Sequence, residues 1–318
     1  MNYILAMVVS LLGALITMPF LMKLANKVHF TDKPNKRKQH KMPTPLCGGI
    51  ALYIGFFISY FTFYKDEDQP YKQITVFVAA TMILLIGLID DWYKTKGKEF
   101  AIFPRLVVQL LSAILVFKAD IFLGGFTNPF TGIYIQLSPI VQFILTITWI
   151  FGVTTVINWS DGMDGLAGGL SLISAATFFA AAIILKQNES AVVSIMLVGT
   201  ILGFLYYNKF PARVFMGDSG ANFLGFILSI TALDGAFKQA TVLSLFIPIL
   251  ALAVPIFDNL FVIFKRFSEG KPVYQADRSQ IHFRLEEKGF TTVQVVKYIM
   301  LISLTFSIIS IILLLVKR

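Results

Sequence analysis

The chain has 318 residues, of which 56% are hydrophobic and 14% charged, with a net charge of +9 and a positive mean hydropathy. A soluble domain carries about a quarter charged residues, so these figures exclude one and describe a polytopic membrane protein. The basic residues sit between apolar runs, not along one soluble face; this argues against a nucleic-acid binder and leaves anionic lipid and substrate phosphates as partners.

A bilayer core takes about 20 apolar residues as helix. Ten runs qualify, at 4–25, 45–64, 74–91, 100–117, 138–157, 165–185, 190–208, 219–234, 240–264 and 298–316. The first follows Met1-Asn2-Tyr3 with no basic region or cleavage site, and reads as a membrane helix instead of a removable signal. The fourth contains Pro104 and Arg105, so Arg105 must snorkel or the helix is short. Cys47 is the single cysteine, which allows no intrachain disulfide and reads as structural or incidental. With no internal repeat and no separate soluble domain, the longest soluble segments being 26–44 and 265–297, residues 1–318 read as one all-α domain of about ten transmembrane helices.

Alternating the loops from an external N-terminus gives 20 of the 27 lysines and arginines to the inner side and makes both termini external. Lys72 falls in an outer loop in this arrangement. Asp90 and Asp91 then end the third helix inside, residues 158–164 form the next inner turn, and Asp218 and His282 lie in the last two inner loops. Every candidate for chemistry faces the cytoplasm.

The stretch Asn158-Trp-Ser-Asp161-Gly-Met-Asp164-Gly-Leu-Ala-Gly-Gly169 sets three polar residues at intervals of three, on one face if the backbone is helical. Its glycines let a nucleotide or metal-phosphate unit approach; the alternative is a small-residue packing face capped by Asp161. The adjacent acids Asp90 and Asp91 repel unless a cation such as Mg²⁺ is near, or they form a solvated helix end partnered by Lys94 and Lys96. In Phe215-Met-Gly-Asp218-Ser-Gly220 an acid again precedes an apolar run, as a phosphate site or as the N-cap of the eighth helix. His282 stands between Arg278 and Arg284, a pattern suited to a pyrophosphate clamp. Asp258 lies in the ninth run, about 10 Å from its inner boundary at helical rise, and is functional or partnered. The inner loop from Asp32 to Gly49 packs lysines and Arg37 against a Pro- and Gly-punctuated helix entry.

Taken in order, Asp90-Asp91, Asn158-x-x-Asp-Gly-x-Asp-Gly-Leu-Ala, Phe215-Met-Gly-Asp and Pro255-Ile-Phe-Asp258 resemble the polyprenyl-phosphate N-acetylhexosamine-1-phosphate transferases over nearly the whole chain. That superfamily includes the initiating enzymes of wall teichoic acid and O-antigen assembly and the phospho-muramoyl-pentapeptide translocase. The Asp32-Lys33-Pro-Asn-x-Arg-Lys-x-His40 loop and the segment from Arg278 to Leu285 look like the N-acetylglucosamine branch. The segment departs from that branch at Gln280 and Phe283, where histidines are usual, so only His282 remains.

The resemblance implies a bacterial plasma-membrane enzyme that joins a cytoplasmic UDP-sugar to a polyprenyl phosphate, with Mg²⁺, or Mn²⁺ in its place, as cofactor. It makes Asp218 the metal ligand, with Asn158 and Asp91 at the metal, and Asp90 the group that orients or deprotonates the lipid phosphate. Asp164 would accept from uracil, Phe215 would stack on it, and Arg278, Arg284, Lys33 and His40 would bind substrate beside catalytic Asp161 and His282. A homodimer is compatible with it. Competing readings are the same chemistry on UDP-MurNAc-pentapeptide, a secondary transporter and a non-catalytic scaffold.

Overall fold

The computed structural model describes residues 2–34, 42–65, 69–128, 131–235, 242–272 and 277–316. His40 of the first inner loop lies outside the described residues. The chain is a helical bundle and a multi-pass membrane protein. In order it contains α1 (Tyr3–Lys27), α2 (Gly48–Phe63), α3 (Pro70–Thr95), α4 (Ile102–Lys118), α5 (Pro139–Trp159) and α6 (Leu166–Ile184). There follow α7 (Asn188–Asn208), α8 (Gly217–Asp234), α9 (Val242–Ala251), α10 (Ala253–Ser268), α11 (Ile281–Glu287) and α12 (Thr292–Val316). Two short antiparallel pairs, unforeseen in the sequence, accompany them: β1 (Thr31–Asp32) with β2 (Thr44–Pro45), and β3 (Gly125–Thr127) with β4 (Tyr134–Gln136).

Among the described residues, α1, α3, α5, α6, α7 and α12 are long and apolar enough to cross a membrane. α3 and α5 each open on a proline, which needs no N–H at that position and has its φ preset for the helix. The ninth apolar run is not one helix but two, broken at Leu252. Pro255 cannot donate to the Ala251 carbonyl, and its ring crowds it, so the ladder fails there. Ser174 Oγ of α6 takes the freed carbonyl at 2.7 Å.

α8 is the central helix. Nearly all its residues are buried, and it packs on α3 and α5 with α2, α6 and α7 around it. Trp149 of α5 donates to the Ser229 carbonyl at 3.1 Å, and Tyr53 and Phe56 of α2 meet Phe223 with ring centroids 5.6 and 5.9 Å apart. Close approach needs bare backbone: a Cβ on Gly49 would collide with the Gly220 amide, and one on Gly87 with the Ser219 backbone. α2 begins where the Gly48 and Gly49 amides donate to the Phe215 and Met216 carbonyls, at 3.0 and 3.1 Å. The loop before α8 thus satisfies two donors that a helix start would otherwise leave open.

These contacts predict opposite outcomes for two glycine substitutions. Gly49→Ala drives α2 from α8 and costs about 1–3 kcal/mol. Gly152→Ala, in α5 with open space around it, is neutral or mildly stabilising. Thermal unfolding in detergent micelles reads both.

Candidate active site

The last turn of α3 and the first turn of α8 lie together, and the link between them is the Asp91 carboxylate. Asp91, 1% exposed, accepts the Asp218 amide at 2.8 Å, the Ser219 amide at 3.0 Å and the Ser219 hydroxyl at 2.7 Å. It is the N-terminal cap of α8, supplied from another helix and favoured by the positive end of the helix dipole. Gly217, at φ 69°, lies so close that a Cβ there would overlap this carboxylate. Beside the expected place at the metal, Asp91 thus has a structural task, since both its oxygens hold the start of α8. The alternative of a cap from Asp218 or Ser219 is corrected, since the cap comes from α3.

Asp90, also 1% exposed, turns to a different set of neighbours. Its Oδ2 lies 3.0 Å from Arg105 Nη1 and 3.3 Å from Lys94 Nζ. Lys94 Nζ in turn reaches Asp218 Oδ2 at 2.6 Å, and Arg105 stands 3.7 Å from the same oxygen. Two acids and two bases from α3, α4 and α8 thus form one cluster, of which the Asp218, Lys94 and Arg105 side chains are partly open to solvent. α4 is short, at 17 residues, as one of the two expectations had it, and Arg105 in its first turn is drawn to Asp90. Lys96 does not join and lies 4.8 Å over the Trp92 ring.

Asn158, Asp161 and Asp164 do not share a helix face. α5 ends at Trp159, and residues 160–165 turn before Gly165, at φ 76°, opens α6. Asp161 stands in this turn within the field of the cluster. Burial first, and then the charges of Asp218 and Asp91, push its carboxyl up to about 8 against the pull of Lys94, so at neutral pH it holds a proton. Asp164 Oδ2 accepts the Ala212 amide at 2.8 Å, and Asn208 bridges the Gly165 amide and the Val214 carbonyl at 3.0 and 2.8 Å. These bonds fasten the turn to the 209–216 loop, which carries the half-buried Phe215. One oxygen of the presumed uracil acceptor is thereby engaged. Asn158 is half-buried on the last turn of α5.

The second part of the site hangs from Asp258 of α10. Both its oxygens accept the Ile281 amide, at 2.9 and 3.0 Å, and it pairs with Arg284 at 2.9 Å, so it anchors the start of α11. His282 is then buried against Gly162 of the acidic turn, where a Cβ would overlap its Nε2. That nitrogen has no hydrogen-bond partner among the described residues. Burial, aided by the Arg278 charge, lowers its pKa to about 4 and keeps it neutral. The clamp of two guanidiniums around His282 is not seen. Arg284 is paired with Asp258 and stacked 4.2 Å over Phe261, and Arg278 binds Glu286 at 2.8 Å. Arg266, nearly fully buried, ties the same segment through Asp277 at 2.8 Å and holds that carboxyl down at about 2. Lys33 is exposed just beyond β1.

Sequence reasoning undervalued Arg105 and Lys94 and missed Asn208 altogether. A charge inside an apolar run was the signal for Arg105; Asn208 gave none.

The donor set suits a hard divalent cation. Among the described residues no three acid, histidine or cysteine side chains stand close enough to cage a metal alone. Mg²⁺ needs fewer, one or two carboxylates completed by substrate phosphates and water.

Residues 73–236 match the family described as Glycosyl transferase family 4. The chain is similar to the "Probable undecaprenyl-phosphate N-acetylglucosaminyl 1-phosphate transferase" of Bacillus subtilis, at 36% identity over 98% of this chain and 84% of that protein. It is similar to the decaprenyl-phosphate N-acetylglucosaminephosphotransferase of Mycobacterium leprae, at 31% over 87% of this chain and 75% of that one. It also resembles the phospho-N-acetylmuramoyl-pentapeptide-transferase of Listeria monocytogenes, at 30% over 98% and 96%.

The pKa of His282 predicts an acid-side loss of stability. The folded state holds its imidazole neutral to about 4 while the unfolded chain protonates near 6.5, so stability is full above 6.5 and falls as pH drops toward 4. The loss is on the order of 3 kcal/mol. Melting temperatures at pH 7 and pH 5 should differ more for the wild type than for His282→Gln.

Proposed function

The chain belongs to glycosyl transferase family 4, and from that premise we propose that it transfers N-acetylglucosamine-1-phosphate from UDP-N-acetylglucosamine to undecaprenyl phosphate at the inner face of a bacterial plasma membrane. The products are polyprenyl-diphospho-N-acetylglucosamine and UMP, a first membrane step of surface polysaccharide synthesis such as wall teichoic acid. The observation that carries the reading is the convergence of Asp90, Lys94, Arg105 and Asp218 beside the 160–165 turn. Full-length similarity to relatives named for N-acetylglucosamine-1-phosphate transfer supports the choice of sugar. The proposal includes ten spans with both termini external.

In the reaction an oxygen of the lipid phosphate attacks the β-phosphorus of the UDP-sugar. The bond from that phosphorus to the bridging oxygen breaks, and UMP departs with the electron pair. Both reactants are anionic, so the site must first bring like charges together. Lys94 and Arg105 present cationic groups for the phosphates. Asp90, buried beside them, orients the lipid phosphate and takes its proton where one is present. Asp218, with Asn158 from the end of α5, would hold Mg²⁺ or Mn²⁺, which when bound neutralises charge on the bridging oxygen. Asp164 and Phe215 flank the nucleotide from the paired turn and loop, and neutral His282 offers Nε2 beside Gly162 for a hydrogen bond. Arg278, Arg284, Lys33 and His40 are assigned a supporting part in holding the diphosphate or sugar, and a homodimer is the proposed assembly. The transporter reading loses ground because the charged residues of α3 and α8 pair at the ends of these helices and not at their middles.

Purified protein with polyprenyl phosphate, Mg²⁺ and a panel of UDP-sugars should release UMP with UDP-N-acetylglucosamine and much less with UDP-MurNAc-pentapeptide. The reverse preference would refute the sugar assignment. Asp90→Asn and Asp218→Asn should each lower turnover at least about a hundredfold. Removal of divalent cation with EDTA should stop UMP release, and added Mg²⁺ or Mn²⁺ should restore it.

A further inference from the structure

α3 and α8 run antiparallel and are joined at both ends. At the site end, Asp91 holds the first amides of α8. At the opposite end Lys72, in the first turn of α3 and 1% exposed, donates to both oxygens of Asp234, the last residue of α8, at 2.7 and 2.8 Å. Glu189 of α7 adds a second acid at 3.8 Å. Placed in an outer loop by the charge count, Lys72 is thus inside the bundle. The adjoining cavity, about 20 Å³ and lined in part by Phe56, Tyr60 and Ser190, has room for one water and no larger ligand.

A buried ion pair often gives no more stability than apolar side chains of the same volume, and in some proteins its use is to fix one register. Apolar helices can slide past each other with little change in burial. At helical rise Lys72 lies about 27 Å from Asp90, so the two ties sit near opposite ends of the α3–α8 contact. Between them, bare Gly87 lies against the backbone of Asp218 and Ser219. A slide of one residue, about 1.5 Å, would break the Asp91 bonds and separate Asp90 from Asp218. We propose that Lys72 and Asp234 are positioning residues for the reaction, setting the register of α3 on α8 and through it the spacing of Asp90 and Asp218.

The test compares Lys72→Met, Asp234→Asn, Lys72→Arg and the exchanged pair Lys72→Asp/Asp234→Lys as purified full-length proteins. Hydrogen–deuterium exchange of residues 215–224 reads the cap directly, and kcat and KM are measured per folded molecule. Lys72→Met and Asp234→Asn should raise exchange at the start of α8 about tenfold while α1 and α7 stay protected. They should lower kcat about tenfold with KM for the UDP-sugar within twofold, and Lys72→Arg and the exchanged pair should regain part of both. Exchange at 215–224 equal to wild type in Lys72→Met, or a rise spread equally over all helices, overturns the proposal. If the single variants do not fold, Lys72→Met/Asp234→Leu replaces the charges with apolar bulk. It should fold and still show both losses, and wild-type values in it overturn the proposal. The kinetic readout rests on the proposed function. The exchange readout does not, so if the sugar-transfer reading fails while the exchange result holds, only the reaction assignment falls.

Discussion

Three donors converge on one carboxylate, and much of the site depends on that. Asp91 receives two backbone amides and a hydroxyl from the first turn of α8, in a place closed to water. Each unmet amide there would cost roughly 1–3 kcal/mol. The chain thus spends one of its two adjacent acids on architecture, and that leaves the other, Asp90, held at a fixed place beside Asp218. Adjacent acids in sequence take different work because successive side chains on a helix point about 100° apart, one toward α8 and one toward α4.

The same economy runs through the other acids. Asp164 fixes a loop, Asp258 starts a helix, and Asp277 neutralises a buried arginine. What remains in the cluster is Asp90 and Asp218, balanced by Lys94 and Arg105. In the proposed reaction, anionic substrates meeting Lys94 and Arg105 would exchange one set of ionic partners for another, with little net burial of new charge.

Most of the bundle was legible in the sequence because a membrane helix must be a long apolar run. At the third run a charge misled the reading. The third run was cut to 74–91, since Lys72 and Lys94 looked like its solvated ends; in the fold each finds an acid far away in the chain, and the helix runs Pro70–Thr95. The ninth run hid a break because Pro255 matters only through the carbonyl four residues before it. The order of acidic motifs pointed to phosphoryl transfer, yet no spacing could divide Asp90 from Asp91, because that depends on which neighbour each rotamer faces. The supposed helical face of Asn158, Asp161 and Asp164 failed for a local reason: glycines at 162 and 165 favour a turn over a continued helix.

The amides of Gly48 and Gly49 find their acceptors in Phe215 and Met216, a separation of more than 160 residues. During synthesis α2 enters the membrane long before the segment that completes its first turn exists. Until then the start of that helix must rest on water or lipid headgroups at the membrane boundary. Only the arrival of α8 lets it settle, and the same arrival brings Asp218 to Asp90. Assembly of the bundle and assembly of the reactive cluster are therefore one late event in the life of the nascent chain, and a truncated product ending before residue 215 would carry Asp90 and Asp91 without the first turn of α8 that they face.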